Sequence, residues 1–311
     1  MVQLYLLVYG SSAAGIAVAL LRWAIMGRRH GLPWGSVAAW TAAAGLLVVV
    51  GDLALRTIGA GGLILTSVAT TAWGSWFPDA RYAAPLALGA LGLVLLAFPV
   101  RTRATTGAAD LTPRTTFSFT RAGSFIAPLV ALAIVLIATL LAGAASRPDP
   151  ETGHYTMFFV ELGGGGGVGT SIYGWYWSLP ALTLIAVLLL LALADLALIA
   201  RPPLGLDRDL DACVRRARSR NVLALVTATL LIHLGDLLGS LAGTVSLRGS
   251  FPTSTGAFTF EPTYAVLGPA LTGGAWIASA LGVAVAASVA LTAVPTRWSV
   301  SERIAADRVD A

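Results

Sequence analysis

Residues 173–203 read YGWYWSLPALTLIAVLLLLALADLALIARPP. A bilayer core needs roughly 20 apolar residues in one helix, and positions 174–200 supply that length without a break. Tyr173, Trp175, Tyr176 and Trp177 stand before Pro180 at one end, where amphipathic rings settle at the headgroup level. Arg201, Pro202 and Pro203 close the other end. The stretch reads as a transmembrane helix with an outer aromatic belt and a positively charged inner end.

The rest of the chain follows the same plan. Of 311 residues, 57% are hydrophobic and 11% charged, and the mean hydropathy is +0.81; polar surface of that extent could hardly cover a water-soluble domain. Apolar spans fall at about 5–26, 36–58, 83–100, 124–146, 174–200, 221–245 and 264–294. The fold class is therefore an all-α membrane protein of about seven transmembrane helices in one polytopic domain, 1–311, ending in a cytoplasmic tail at 295–311. The first span is an anchor, not a signal peptide, because no basic residue precedes it and Arg28 and Arg29 follow it.

Arginine sets the orientation, since short cytoplasmic loops are enriched in positive charge. All but Arg56, Arg81, Arg147 and Arg248 of the 20 basic residues fall on one face of this layout, which puts the amino terminus outside and the carboxyl terminus in the cytoplasm of a cell's cytoplasmic membrane. The apolar run at 58–73, IGAGGLILTSVATTAW, is placed outside as a re-entrant or interfacial segment, because an eighth helix there would turn the arginine-bearing 101–121 loop outward. The formal charge of +5 is thus an orientation signal and not a nucleic-acid footprint; the chain has no lysine. Cys213 is the single cysteine, which excludes an internal disulfide and a cysteine cluster.

After the first span the chain alternates inner loop, helix, outer loop and helix, giving hairpins at about 36–100, 124–200 and 221–294. Gly51-Asp52-Leu53 and Gly235-Asp236-Leu237 lie at nearly the same depth, as a parallel repeat would place them and as a chance match in a chain so rich in Ala, Leu and Gly readily would. The outer loops at 58–82, 147–173 and 246–263 each hold a β-prone run, Leu63 to Trp73, His154 to Leu162 and Ala257 to Phe260, and together predict a small cap. The Gly163 to Gly167 run reads as a linker, since it lacks the Lys-Ser/Thr ending of a phosphate loop. On the inner side, Leu210, Cys213, Val214 and Ala217 form a helical apolar stripe opposite Arg215, Arg216 and Arg218. That pattern predicts an interfacial amphipathic helix held by anionic lipid, or a docking helix for a cytoplasmic partner.

Few ionisable groups lie inside the spans, and each needs a partner or a role. Asp52 and Arg56 are four apart and able to pair on one helix face. His233 and Asp236 are three apart near mid-membrane, where the carboxylate could orient the imidazole or share its proton; the alternative is a lone buried histidine that hydrogen-bonds a neighbouring helix. Asp195 lies near the inner end of its span, within reach of headgroups or Arg201. Enzyme chemistry is missing: there is no HExxH motif, no facing histidine pair for haem, no serine in a nucleophile motif and no lysine for a Schiff base. The reading is of a protein that is not an enzyme and carries no cofactor or metal.

The run Tyr173 to Pro180, the long apolar helix, Arg201-Pro202-Pro203 and the arginine-rich helix after it resemble multi-pass membrane proteins of actinobacteria often encoded beside ABC transporter ATPases. The likeness covers about 173–245. It implies a permease-like subunit partnered by a separate ATPase, in a homo- or hetero-oligomer, although an ABC permease half has six spans with both termini inside. Two other readings stand beside it: a structural or accessory membrane protein, and a proton-coupled transporter using Asp52, His233 and Asp236 in one cavity.

Overall fold

The computed structural model describes residues 2–26, 32, 35–60, 77–98, 115–116, 118–163, 166–201, 208–253, 256–260 and 262–294. Among the described residues, eight α-helices run in chain order: α1 (Val2–Met26), α2 (Ser36–Gly59), the single turn α3 (Phe77–Ala80), α4 (Ala83–Ala97), α5 (Ile126–Ala145), α6 (Trp175–Ile199), α7 (Arg208–Val245) and α8 (Gly268–Leu291). Between them lie β1 (Arg147–Pro148), β2 (Tyr155–Gly163) and β3 (Gly166–Ser171) in one antiparallel sheet, and β4 (Gly249–Thr253) with β5 (Gly256–Phe260) in a second.

Six of these helices are long and apolar enough to cross a bilayer, and α4 is a shorter apolar helix. The chain is a multi-pass integral membrane protein by architecture. Large apolar side chains point outward along the helices, among them Leu6, Leu141 and Leu190 at 63, 67 and 66% exposure, which is the surface lipid covers and water would not.

Packing explains which helix sits where. The spanning window of α7 is 72% buried against 22% for α1, so α7 is the hub, in contact with α2, α4, α5, α6 and α8. On α6 the buried positions Ser178, Ala181, Ile185, Leu188, Ala192, Asp195 and Ile199 alternate by three and four, one stripe against the core. On α2 the stripe Ala38, Thr41, Gly45, Val48 and Asp52 does the same, which carries Asp52 inward with the apolar residues below it.

Lipid offers no hydrophobic drive between helices, so close packing of small residues has to hold them together. The α8 backbone supplies it on three sides. A Cβ at Gly15 of α1 would strike the Ala280 carbonyl oxygen, and one at Gly45 of α2 would lie 2.7 Å from the Ala286 oxygen and 2.6 Å from the Ala290 nitrogen. From within α8, a Cβ at Gly282 would lie 2.9 Å from the Ala228 oxygen of α7. Neighbouring backbone cannot swing aside as a side-chain tip can.

The expected helical, multi-pass architecture is present, and particular segments differ from their reading. The long helices stand where the apolar spans were read, and the helical stripe read at Leu210 to Ala217 leads without a break into the next span: α7 is continuous from Arg208 to Val245, because no glycine or proline interrupts it at Asn221. The span read at 83–100 is a helix only over Ala83–Ala97. Within the Gly163 to Gly167 run, read as a linker, Gly163 pairs with Gly166 and Glu161 with Gly167 between β2 and β3, and Gly164 and Gly165 lie outside the described residues. The β-prone runs at His154 to Leu162 and Ala257 to Phe260 are strands; that at Leu63 to Trp73 lies outside the described residues, as do most of the re-entrant segment at 58–73, most of the 101–121 loop and the tail at 295–311.

Gly45→Ala is expected to lower stability by about 1–3 kcal/mol, as overpacking against fixed atoms does. A thermal melt of the detergent-solubilised protein reads it; an unchanged melting temperature would mean that α2 and α8 do not touch at this level.

Candidate functional site

At the hairpin end of the bundle the helices part and enclose a cavity of about 640 Å³. Its walls are Ser11 of α1; Asp52, Arg56 and Gly59 of α2; Phe77 of α3; Arg81 and Tyr82 in the turn before α4; the face Gly235 to Thr244 of α7; and Thr272, Trp276 and Ser279 of α8. Thr170 and Ser171 of β3 close it from above. The Thr244 hydroxyl donates to the Ser171 carbonyl at 2.9 Å, which ties this roof to α7.

A four-residue period on α7 makes the longest wall. Residues 235–244 read GDLLGSLAGT, so Gly235, Gly239 and Gly243 stack along one side of the helix, with Asp236, Ser240 and Thr244 each one residue on. The glycines also record how the helices diverge. A Cβ at Gly235 would collide with the Ser279 hydroxyl, one at Gly239 would have Ala275 Cβ at 4.0 Å, and one at Gly243 would have nothing within 4 Å. Contact thus gives way to open space over two helical turns.

The charged groups on the walls are differently provided for. Arg56 Nε donates to Asp52 Oδ2 at 2.8 Å, and the Ser12 hydroxyl donates to the same oxygen at 3.0 Å. With 5% of the Asp52 side chain exposed and 18% of Arg56, this is a largely buried pair spanning α1 and α2. Tyr9 and Thr57 join their hydroxyls at 3.1 Å beside it. Asp236 is half-buried and has no hydrogen bond or ion pair among the described residues; its charged neighbours are Arg56, Asp52 and Arg81. The Arg81 guanidinium makes no hydrogen bond among the described residues either, and lies over the rings of Tyr82 and Trp177, 4.5 and 5.2 Å from their centroids.

Asp52 and Arg56 form the expected ion pair, and both GDL tripeptides deliver their aspartate to this one cavity. His233 does not join them. Three residues rotate a helix by about 300°, so Asp236 faces the cavity while His233, fully buried, turns toward α4, where its Nδ1 is 3.0 Å from the Tyr82 carbonyl oxygen. Since a carbonyl only accepts, Nδ1 carries the proton. No hydrogen bond links His233 to Asp236. Tyr173 packs edge-on against the imidazole at 6.0 Å, and its ring meets Tyr82 at 4.7 Å.

At the other end of the bundle Asp195 is 3% exposed, because it lies on the packing stripe of α6, and the charge it faces is Arg218 of α7 rather than Arg201. Arg218 Nη2 donates to the Leu96 carbonyl at the end of α4 at 3.1 Å. Arg215 donates through Nε to Asp211 at 2.7 Å and through Nη1 to the carbonyls of Ile199 and Arg201 at the end of α6. Of the residues read as a docking helix, Arg215 and Arg218 thus cap helix ends, Val214 is half-buried, Arg216 is exposed, and the Leu210 side chain lies outside the described residues.

Reading the sequence did not single out Ser12, Arg81, Tyr82 or Trp276. The hydroxyls at Tyr9, Ser11 and Ser12 in an apolar first span, and the Gly-polar dipeptide repeated every four residues on α7, were the available signals. Among the described residues no group of three His, Cys, Asp or Glu is placed to hold a metal ion. No family model, curated protein or solved structure matches the chain.

Breaking a buried pair on one side leaves the other charge uncompensated and costs roughly 3–5 kcal/mol; partial exposure of Arg56 sets the low end of that range here. Asp52→Ala is expected to destabilise more than Asp52→Asn combined with Arg56→Gln. Asp236→Asn, which removes no bond, is expected to leave thermal stability unchanged or raise it. A fall as large as that of Asp52→Ala would make Asp236 a structural group.

Proposed function

We propose that this chain is a transport-related membrane protein that takes a small polar solute into the cavity between α1, α2, α7 and α8. The observation that carries this reading is Asp236, a carboxylate on the wall of a 640 Å³ cavity with no bonded partner among the described residues. An ionisable side chain at membrane depth costs roughly 2.5–3.5 kcal/mol on insertion scales, and one retained only to join helices would be bonded to a neighbouring helix. The volume also fits, since small-molecule sites occupy roughly 300–1,000 Å³.

In this reading the amino terminus is outside, the carboxyl terminus is cytoplasmic, and α4 with its flanking turn makes a seventh crossing. The cavity then opens outward beneath the β2–β3 hairpin. Energy comes from a separate ABC-type ATPase, as the likeness over 173–245 implies. Cys213, Arg216 and Arg220, exposed near the inner end of α7, are among the side chains open to meet it.

A transport site must be reachable from both sides in turn. In a Cys213→Ser background, Ser240→Cys is expected to react with a membrane-impermeant thiol reagent in intact cells and again in inverted vesicles. Labelling from the outer side alone would leave a binding pocket without transport and overturn the reading.

The partner is tested separately. Tagged protein drawn from native membranes in mild detergent is expected to bring down a nucleotide-binding subunit in stoichiometric amount; recovery of the protein by itself would remove the ATPase and leave the solute site standing.

A further inference from the structure

The cavity walls carry two acidic and two basic side chains, Asp52, Asp236, Arg56 and Arg81. One pair is closed, because Arg56 and Asp52 bond to each other at 2.8 Å. That leaves one carboxylate and one guanidinium, Asp236 and Arg81, on the wall without a hydrogen bond among the described residues, each within electrostatic reach of the other. The remaining wall is hydroxyl, glycine and aromatic, with Ser240 and Thr272 as hydrogen-bonding groups and Trp276 as an apolar face.

Leaving a charged group unbonded in a desolvated site is costly on both sides of such a pair. A simple cation would satisfy Asp236 and repel Arg81; a simple anion would do the reverse. Resting on the solute-site reading, we infer that the ligand is a small zwitterion bearing an ammonium and a carboxylate, in the manner of an α-amino acid or a dipeptide. Its ammonium goes to Asp236 and its carboxylate to Arg81, a guanidinium whose planar fork matches a carboxylate better than a lysine would. The glycine face of α7 lets the ligand backbone approach closely at Gly239 and Gly243, where a Cβ would find open space, and Trp276 is placed to cover its side chain.

Calorimetric titration and thermal shift of the purified protein in lipid nanodiscs test this, with the common L-amino acids and alanyl-alanine as probes. The best probe is then compared with its decarboxylated amine, its deaminated acid and an uncharged polyol. The zwitterion is expected to bind at least tenfold more tightly than either half. Asp236→Asn should abolish the preference over the deaminated acid, and Arg81→Gln the preference over the amine, while Asp236→Glu retains part of the first. Monodisperse elution of each variant controls for folding. Binding of the amine, the acid or the polyol as tightly as the zwitterion would overturn the zwitterion and keep the solute site. Silence of every probe would overturn the zwitterion too, while two-sided labelling of Ser240→Cys would still judge transport.

Discussion

Backbone-to-backbone approach at glycine fixes the geometry on which the site depends. Gly15, Gly45 and Gly282 let α1, α2 and α7 reach the α8 main chain directly, and in a bilayer such contact is what holds helices together. On α7 the same device fades over two turns, from contact at Gly235 to open space at Gly243. The cavity is the volume released by that divergence, so stability and site come from one row of small residues read in different places.

The polar groups divide along the same line. Where the helices are tight, most charges are spent on each other or on helix ends: Ser12 and Arg56 on Asp52, His233 on the Tyr82 carbonyl, Arg218 on Leu96, Arg215 on the end of α6; Asp195 is the exception, its Oδ2 buried without a hydrogen bond among the described residues beside the charge of Arg218. Where the helices part, Asp236 and Arg81 are left unspent. A bundle that kept charge only as glue would bury both in pairs, since each unpaired ion is expensive at that depth.

Much of the architecture was legible in the sequence because bilayer thickness dictates span length, and the long helices stand close to where the apolar runs lie. The Asp52–Arg56 pair followed from four-residue spacing alone. His233 and Asp236 show the limit of that reasoning: proximity in sequence said nothing of which faces α4 and the cavity would take. The partner of Asp195 was not legible either: the sequence offered Arg201, whereas the stripe Ser178, Ala181, Ile185, Leu188 and Ala192 carries it into the packed core beside Arg218 of α7. Arg81 falls in the outer loop read at 58–82, and its contact with Trp177, almost a hundred positions on, is one that no local pattern encodes.

The central claim is that Asp236 faces a solvated cavity while Asp52 is sealed by its partners. Labelling of the intact protein in nanodiscs with a water-soluble carbodiimide and an amine nucleophile, followed by peptide mass spectrometry, measures this directly. The account predicts modification of Asp236 with Asp52 protected. An unmodified Asp236, under conditions where exposed carboxylates such as Glu161 react, would contradict it.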